Sequence, residues 1–270
     1  MSFAFEPQGI VEMAKKEAGT VKDSPEQKEK KRKRAEKEGH GKLYAKAAQT
    51  LNKSKKYTVK EAFELLEKMP ARKFDESVDI AFNLGVDPKH ADQMVRGAIV
   101  LPNGIGKSAR VLVIAKGDKA KEAEAAGADH VGSDDMVKKI QEGWMEFDKV
   151  IATPDMMAVV SRVARVLGPR GLMPNPKLGT VTPNVKQAVE DQKKGKMEYR
   201  TEKTGIIHAM IGKKSFGAKK LQENFVTLAS VILRAKPPTS KGTYLQKITV
   251  STTMGPGIQL DAADVASVGA

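Results

Sequence analysis

The stretch Gly168–Lys177 reads Gly-Pro-Arg-Gly-Leu-Met-Pro-Asn-Pro-Lys, with three prolines and two glycines in ten residues. Proline fixes φ and removes a backbone donor, while glycine takes angles that other residues avoid. Neither a helix nor a central strand can be built from it. What remains is a stiff, shaped loop that holds Arg170 and Lys177 in set directions and has little chain entropy left to lose on binding. A flexible linker would instead be rich in Ser and Gly, without closely spaced prolines.

The patterns on either side of this loop divide the chain. Residues 1–37 form an extension whose run Lys28–Lys37 has no apolar face, which predicts a disordered segment or a solvated helix. Lys42–Leu51 reads as a basic helical stretch. Thr58 then caps a helix running to about Met69, with Glu61 three residues on and Ala62, Leu65, Leu66 and Met69 as its apolar stripe. Period-two patterns predict a strand over Phe74, Ser77–Ala81 and Leu84, and a second at Gly97–Leu101.

After Asn103-Gly104 the register changes. Arg110–Ala115 is a continuous apolar run, as expected for a strand buried on both faces. A helix at Lys119–Ala126, a strand at Asp129–Gly132, a helix at Ser133–Gly143, a strand at Val150–Thr153 and an amphipathic helix at Pro154–Leu167 follow. This alternation implies a small parallel sheet covered by helices. Beyond Lys196 the signal is antiparallel again, with strands at Lys196–Thr201, Ile206–Gly212 and Tyr244–Ser251, and a helix at about Lys219–Ala235.

The fold class expected is therefore α+β with an inserted α/β part. Residues 38–104 and 196–260 build one discontinuous domain, residues 105–195 are inserted as a second, and 261–270 form a tail. The two crossings, at Gly104 and Gly195, make a natural hinge.

Composition narrows the function. The formal net charge is +14 and the chain contains no cysteine. Disulfides, thiolate metal sites and cysteine nucleophiles are excluded. The surplus is uneven: +8 in residues 1–60, −3 in 61–104, +3 in 105–195 and +6 in 196–270. Within the third block, residues 105–168 balance, so the excess begins at the proline-rich loop. A clustered basic surplus points to a polyanionic partner. Only 5% of residues are aromatic, too few for a module that grips single strands by stacking, so the expected partner is a folded RNA read by shape and backbone. The sequence shows no secretory leader, transit peptide or membrane-spanning run, which fits a cytoplasmic protein.

Catalysis finds no support. Gly104-Ile105-Gly106-Lys107-Ser108 suggests a phosphate loop, but Leu101 stands where the motif needs glycine and a strand follows instead of a helix. His40, His90, His130 and His208 lie in unrelated segments without metal-ligand spacing. No metal, cofactor or catalytic residue is expected. The informative string is Ser251-Thr252-Thr253-Met254-Gly255-Pro256-Gly257: hydroxyls leave a strand edge into a turn that a ligand can approach closely, which suits ribose hydroxyls and phosphates. Arg72 and Lys73 beside Phe74 extend the same possibility to the start of the first strand.

Seven strings carry a resemblance: Lys73-Phe74-Asp75-Glu76, Gly85-Val86-Asp87-Pro88, Val95-Arg96-Gly97, Ala126-Gly127-Ala128-Asp129, Ala152–Met157, Gly168–Lys177 with Gly179-Thr180-Val181, and Ser251–Gly257. In this order, from about Gly41 to Leu260, the chain resembles the ribosomal protein L1 family of the large subunit, bacterial type. The resemblance implies a discontinuous split α/β sandwich domain and an inserted, Rossmann-like three-layer domain. It also implies binding of large-subunit ribosomal RNA in a mobile stalk, contact with exit-site tRNA, and repression through the protein's own messenger RNA. No membrane partner and no homo-oligomer are expected. Residues 1–37 and 261–270 depart from the family pattern. Lys73, Phe74, Thr252, Thr253, Met254 and Gly255 are the expected RNA-binding residues, with Lys196, Tyr199 and Arg200 added at the domain crossing. Arg170 and Lys177 would face the hinge or a passing tRNA. A nucleotide-dependent enzyme and a free RNA-binding regulator are the competing readings.

Overall fold

Pro70 disfavours helical angles in the residue before it, and the helix Val59–Lys68 stops with Met69 extended. The computed structural model describes residues 41–52 and 55–269, so the extension 1–37 and its basic run lie outside the described residues. By its contacts the chain divides into residues 1–45 and 46–270, and the account below concerns the second unit.

Thr58 caps the Val59–Lys68 helix as expected, its Oγ1 accepting the Glu61 N–H at 3.4 Å. The buried stripe is Val59, Ala62, Phe63 and Leu66; Leu65 is only half-buried. β1 (Ser77–Leu84) alternates cleanly, with Val78, Ile80, Phe82 and Leu84 inward. It is the first strand in sequence but a central one in space. A four-stranded antiparallel sheet runs β7 (Ile206–Lys213), β1, β8 (Leu245–Thr252), β9 (Ile258–Leu260). The helices Val59–Lys68 and Gly217–Arg234 pack on its inner face, where Phe225 stacks on Phe82 at 6.2 Å and meets Phe63 edge-on at 5.7 Å. The core between them draws on both ends of the unit, from Ala47 to Leu101 and from Met197 to Val265.

Two strands, β2 (Arg96–Val100) and β6 (Lys196–Arg200), form a separate antiparallel ribbon. Gly97 lies opposite Tyr199, and a Cβ there would stand 2.4 Å from the Tyr199 Oη. Only glycine leaves room for that ring.

The residues between the crossings make a parallel sheet in the order β4 (His130–Gly132), β3 (Val111–Ile114), β5 (Lys149–Ala152). All four residues of β3 are buried, for a simple reason: each face meets its own core. Leu112 and Ile114 join Val137, Ile140, Met156 and Leu167 on one side. Val111 and Val113 join Ala123, Val185 and Val189 on the other.

Two segments differ from expectation. Pro154–Leu167 is not one helix but alternates tight 3-10 turns with single α turns, at Pro154–Met156, Met157–Val160, Ser161–Val163 and Ala164–Leu167. Ser161 Oγ donates back to the Met157 carbonyl at 2.8 Å, a bond that bends helices, and the β-branched Val159, Val160 and Val163 add crowding. At the other end, most of the stretch set apart as a tail is the helix Ala262–Gly269. Val265 is fully buried against the core, and the Asp264 carboxylate accepts the Val59 N–H at 2.8 Å. Partners more than two hundred residues away thus make this segment part of the fold.

Candidate nucleic-acid interface

β1 begins, β7 ends and β8 ends at the same edge of the four-stranded sheet, and the residues around these termini lock into one another. The Thr253 N–H donates to the Ser77 carbonyl at 3.0 Å, and the Ser77 N–H donates to Thr253 Oγ1 at 3.1 Å. Arg72 Nη2 donates to the Met254 carbonyl at 3.2 Å. The Gly255 N–H closes the turn onto the Thr252 carbonyl at 3.1 Å. A Cβ on Gly255 would fall 2.3 Å from Thr252 Oγ1, so the tightness of this turn requires glycine. Beside it, Asp75 accepts from the Ser215 N–H at 3.2 Å and the Ser215 hydroxyl at 2.6 Å, which anchors the segment carrying Phe74.

The result is a rigid surface with two apolar side chains left in the open. Phe74 is 53% exposed and Met254 52%, and neither joins the core. Their exposure beside this hydrogen-bond network makes the edge the candidate contact surface. Lys73 is exposed next to Phe74. Two further cations here are engaged within the protein: Lys213 Nζ donates to Ser77 Oγ at 2.9 Å, and Lys214 Nζ to the Met69 carbonyl at 2.7 Å. Their positive charge remains to attract an anion, while their geometry is set by the fold.

The structure sorts the sequence-predicted residues. Lys73, Phe74, Thr253, Met254 and Gly255 meet at this one edge. Thr252 is corrected: it is 3% exposed, with its hydroxyl turned to Glu76, because it is the last inward-facing residue of β8. Tyr199 is corrected too. It is 5% exposed because β6 turns it to the core side over Gly97, so its ring packs within the ribbon. Arg200 is exposed and sits opposite Arg96 across the ribbon. Lys196 carries its ammonium over Gly179, at the end of the proline-rich loop.

That loop is ordered by its own bonds. Asn175 Oδ1 accepts the Lys177 N–H at 2.9 Å, and Thr180 Oγ1 accepts the Asn175 N–H at 2.7 Å. Arg170 and Lys177 both face outward from it. At the crossings, Gly104 and Gly195 take positive φ of 65° and 90°, and a Cβ on Gly195 would stand 3.2 Å from the Gly104 Cα. The two crossing strands of chain therefore run in contact.

Sequence reasoning missed Glu76. Its signal was available: it occupies the inward parity of Val78, Ile80 and Phe82, where a carboxylate is unexpected, and it is 2% exposed. Among the described residues, no group of three His, Asp or Glu side chains could hold a metal ion.

One edge of the antiparallel sheet thus sets fixed apolar and basic groups together. Residues 65–256 match the model of the ribosomal protein L1p/L10e family, and the chain belongs to that family. It is also 59% identical over 231 residues to the large ribosomal subunit protein uL1 of Bdellovibrio bacteriovorus, a match covering 85% of this chain and 99% of that one. The family is one of ribosomal proteins, not of enzymes.

Proposed function

We propose that the protein is an RNA-binding structural component of the large ribosomal subunit in the bacterial cytoplasm, and that the edge carrying Phe74 and Met254 holds its ribosomal RNA. The observation behind this reading is the exposure of those two side chains on a surface otherwise fully braced. An apolar side chain flanked by Arg72 and Lys73 suits a sugar or base face beside phosphates.

The finer reading follows from the layout. Residues 46–104 with 196–269 act as the RNA-holding domain, and residues 105–195 act as a second domain turning about Gly104 and Gly195. Bound to a stalk of ribosomal RNA, the second domain carries Arg170 and Lys177 toward exit-site tRNA and assists its release. The same edge, offered an RNA of like shape in the protein's own messenger, represses translation of that messenger.

Met254→Asp tests the contact. It places a carboxylate against phosphates on a residue that packs in no core, so the protein stays folded while affinity for large-subunit ribosomal RNA at a fixed salt concentration falls by at least about tenfold. Unchanged affinity would overturn the assignment. Cosedimentation with large subunits separates a ribosomal component from a free regulator.

A further inference from the structure

Glu76 is a buried carboxylate directly beneath the candidate RNA-binding turn, 2% exposed. Its Oε1 accepts the Met254 N–H at 3.0 Å and lies 3.5 Å from the Thr252 hydroxyl. Its own carbonyl accepts the Lys214 N–H at 2.8 Å, which fixes its backbone against the end of β7. A carboxyl group this deeply buried is costly unless it is hydrogen-bonded, and here the bonds it accepts come from the turn.

Consider next which polar atoms the turn has left to offer. Its three N–H groups are all used: Thr253 to the Ser77 carbonyl, Met254 to Glu76, Gly255 to the Thr252 carbonyl. The carbonyls are not. The Met254 oxygen takes one bond, from Arg72, and no described residue donates to the oxygens of Thr253 or Gly255. A carbonyl has two lone pairs. The backbone of this turn is therefore an array of acceptors.

We propose that Glu76 is the positioning residue of the RNA-binding edge: by consuming the Met254 N–H it sets the turn so that its backbone accepts from ribose 2′-hydroxyls and has no donor for phosphates. Phosphate oxygens cannot donate, whereas a 2′-hydroxyl can. The backbone of the turn thus distinguishes ribose from deoxyribose, and phosphate attraction falls to Arg72 and Lys73. This rests on the reading of the Phe74–Met254 edge as the RNA contact.

The test uses the full chain and the fragment of large-subunit ribosomal RNA that it protects from cleavage, prepared with ribose and with 2′-deoxyribose at the protected positions. Deoxy substitution should weaken wild-type binding about tenfold or more, the scale of losing one or two buried hydrogen bonds. Glu76→Ala should weaken binding to the ribose fragment by a similar factor while leaving the deoxy fragment little changed. Glu76→Gln, whose side-chain oxygen can still accept the Met254 N–H, should stay within about threefold of wild type. Amide exchange at Met254 should speed up in the alanine variant and not in the glutamine variant, with or without RNA.

Equal binding of the two fragments, or a folded Glu76→Ala protein that binds like wild type, would overturn the proposal. If Glu76→Ala does not fold, Glu76→Asp replaces it, since that change withdraws the acceptor by one methylene and keeps the carboxyl group. Met254→Asp run alongside separates the two levels. If it leaves affinity unchanged the contact edge itself is wrong, whereas loss there with indifference at Glu76 refutes only the positioning role.

Discussion

Asn224 and Gly104 stand 120 positions apart and are joined by a 3.0 Å hydrogen bond from the Asn224 Nδ2 to the Gly104 carbonyl. The same amide donates to the Ile211 carbonyl at 2.8 Å, and its oxygen accepts the Asn103 N–H at 3.1 Å. A side chain with no exposed surface thus ties the first crossing to both the long helix and β7. Asn224→Ala leaves three backbone groups without their partner, the Ile211 carbonyl fully buried, and should cost about 2–4 kcal/mol, measured as a shift in urea midpoint at constant slope. A loss under about 1 kcal/mol would show that the crossing is held by its other bonds, from Asn103 to Lys220 and Glu223.

Phe74 and Phe82 make a matched pair, eight residues apart, one outside and one inside. Phe82 is fully buried against Phe225, so Phe82→Ala should cost about 3–5 kcal/mol of stability. Phe74→Ala should change stability by less than about 0.5 kcal/mol and weaken RNA binding instead. Denaturant melts together with binding isotherms on both variants check the contrast.

Lys149 on β5 and Glu198 on β6 approach to 2.7 Å with about a quarter of each side chain exposed. This bond links the parallel sheet to the ribbon that follows the second crossing. Partial exposure limits its worth, and a double-mutant cycle should return a coupling of roughly 1 kcal/mol that shrinks as salt is raised. A coupling indistinguishable from zero at low salt would remove the pair as a brace.

Alkaline pH should act through two tyrosines. Burial pushes the Tyr199 phenol up, and burial with Tyr199 as neighbour pushes Tyr244 up to about 12 from an ordinary 10.0. The folded state then holds these protons more tightly than the unfolded chain. The stabilisation is complete below the unfolded value and is lost as pH climbs through the folded one. Stability should therefore be insensitive to these groups at neutral pH and decline between about pH 10 and 12. Tyr244→Phe, which also gives up the bond to the Ile232 carbonyl, should flatten that decline. Tyrosinate absorbance followed against pH should show late-titrating phenols; if every tyrosine ionises near its free value, the assignment fails.

What could be read beforehand was whatever depends on near neighbours in sequence. The alternation of β1, the all-apolar β3 and the Thr58 cap each follow from a few adjacent side chains. The helix Val185–Lys193 was legible and overlooked, since Val185, Ala188, Val189 and Gln192 form a buried stripe at helical spacing. Thr252 and Tyr199 were misplaced because their surroundings come from elsewhere. Polar residues near a turn and a crossing look exposed until Glu76 and Gly97 arrive beneath them. The helix Ala262–Gly269 hid for the same reason, as the carboxylate that serves Val59 is separated from it by 205 positions.

β1 has a consequence for how the molecule is made. Both strands that flank it, β7 and β8, lie far downstream, while every strand of the parallel sheet is encoded before either. At a synthesis rate of about 5–20 residues per second, β1 waits roughly 6–24 seconds for β7, which starts about 120 residues after β1 ends. During that interval its four inward side chains have no sheet to join, while the segment that follows can already close on itself. Chain order thus lets the parallel sheet in the middle close before β1, which joins its sheet only when β7 and β8 arrive. The edge carrying Phe74 and Met254, built from β1 and β8, comes into being only once β8 has been made, long after β1.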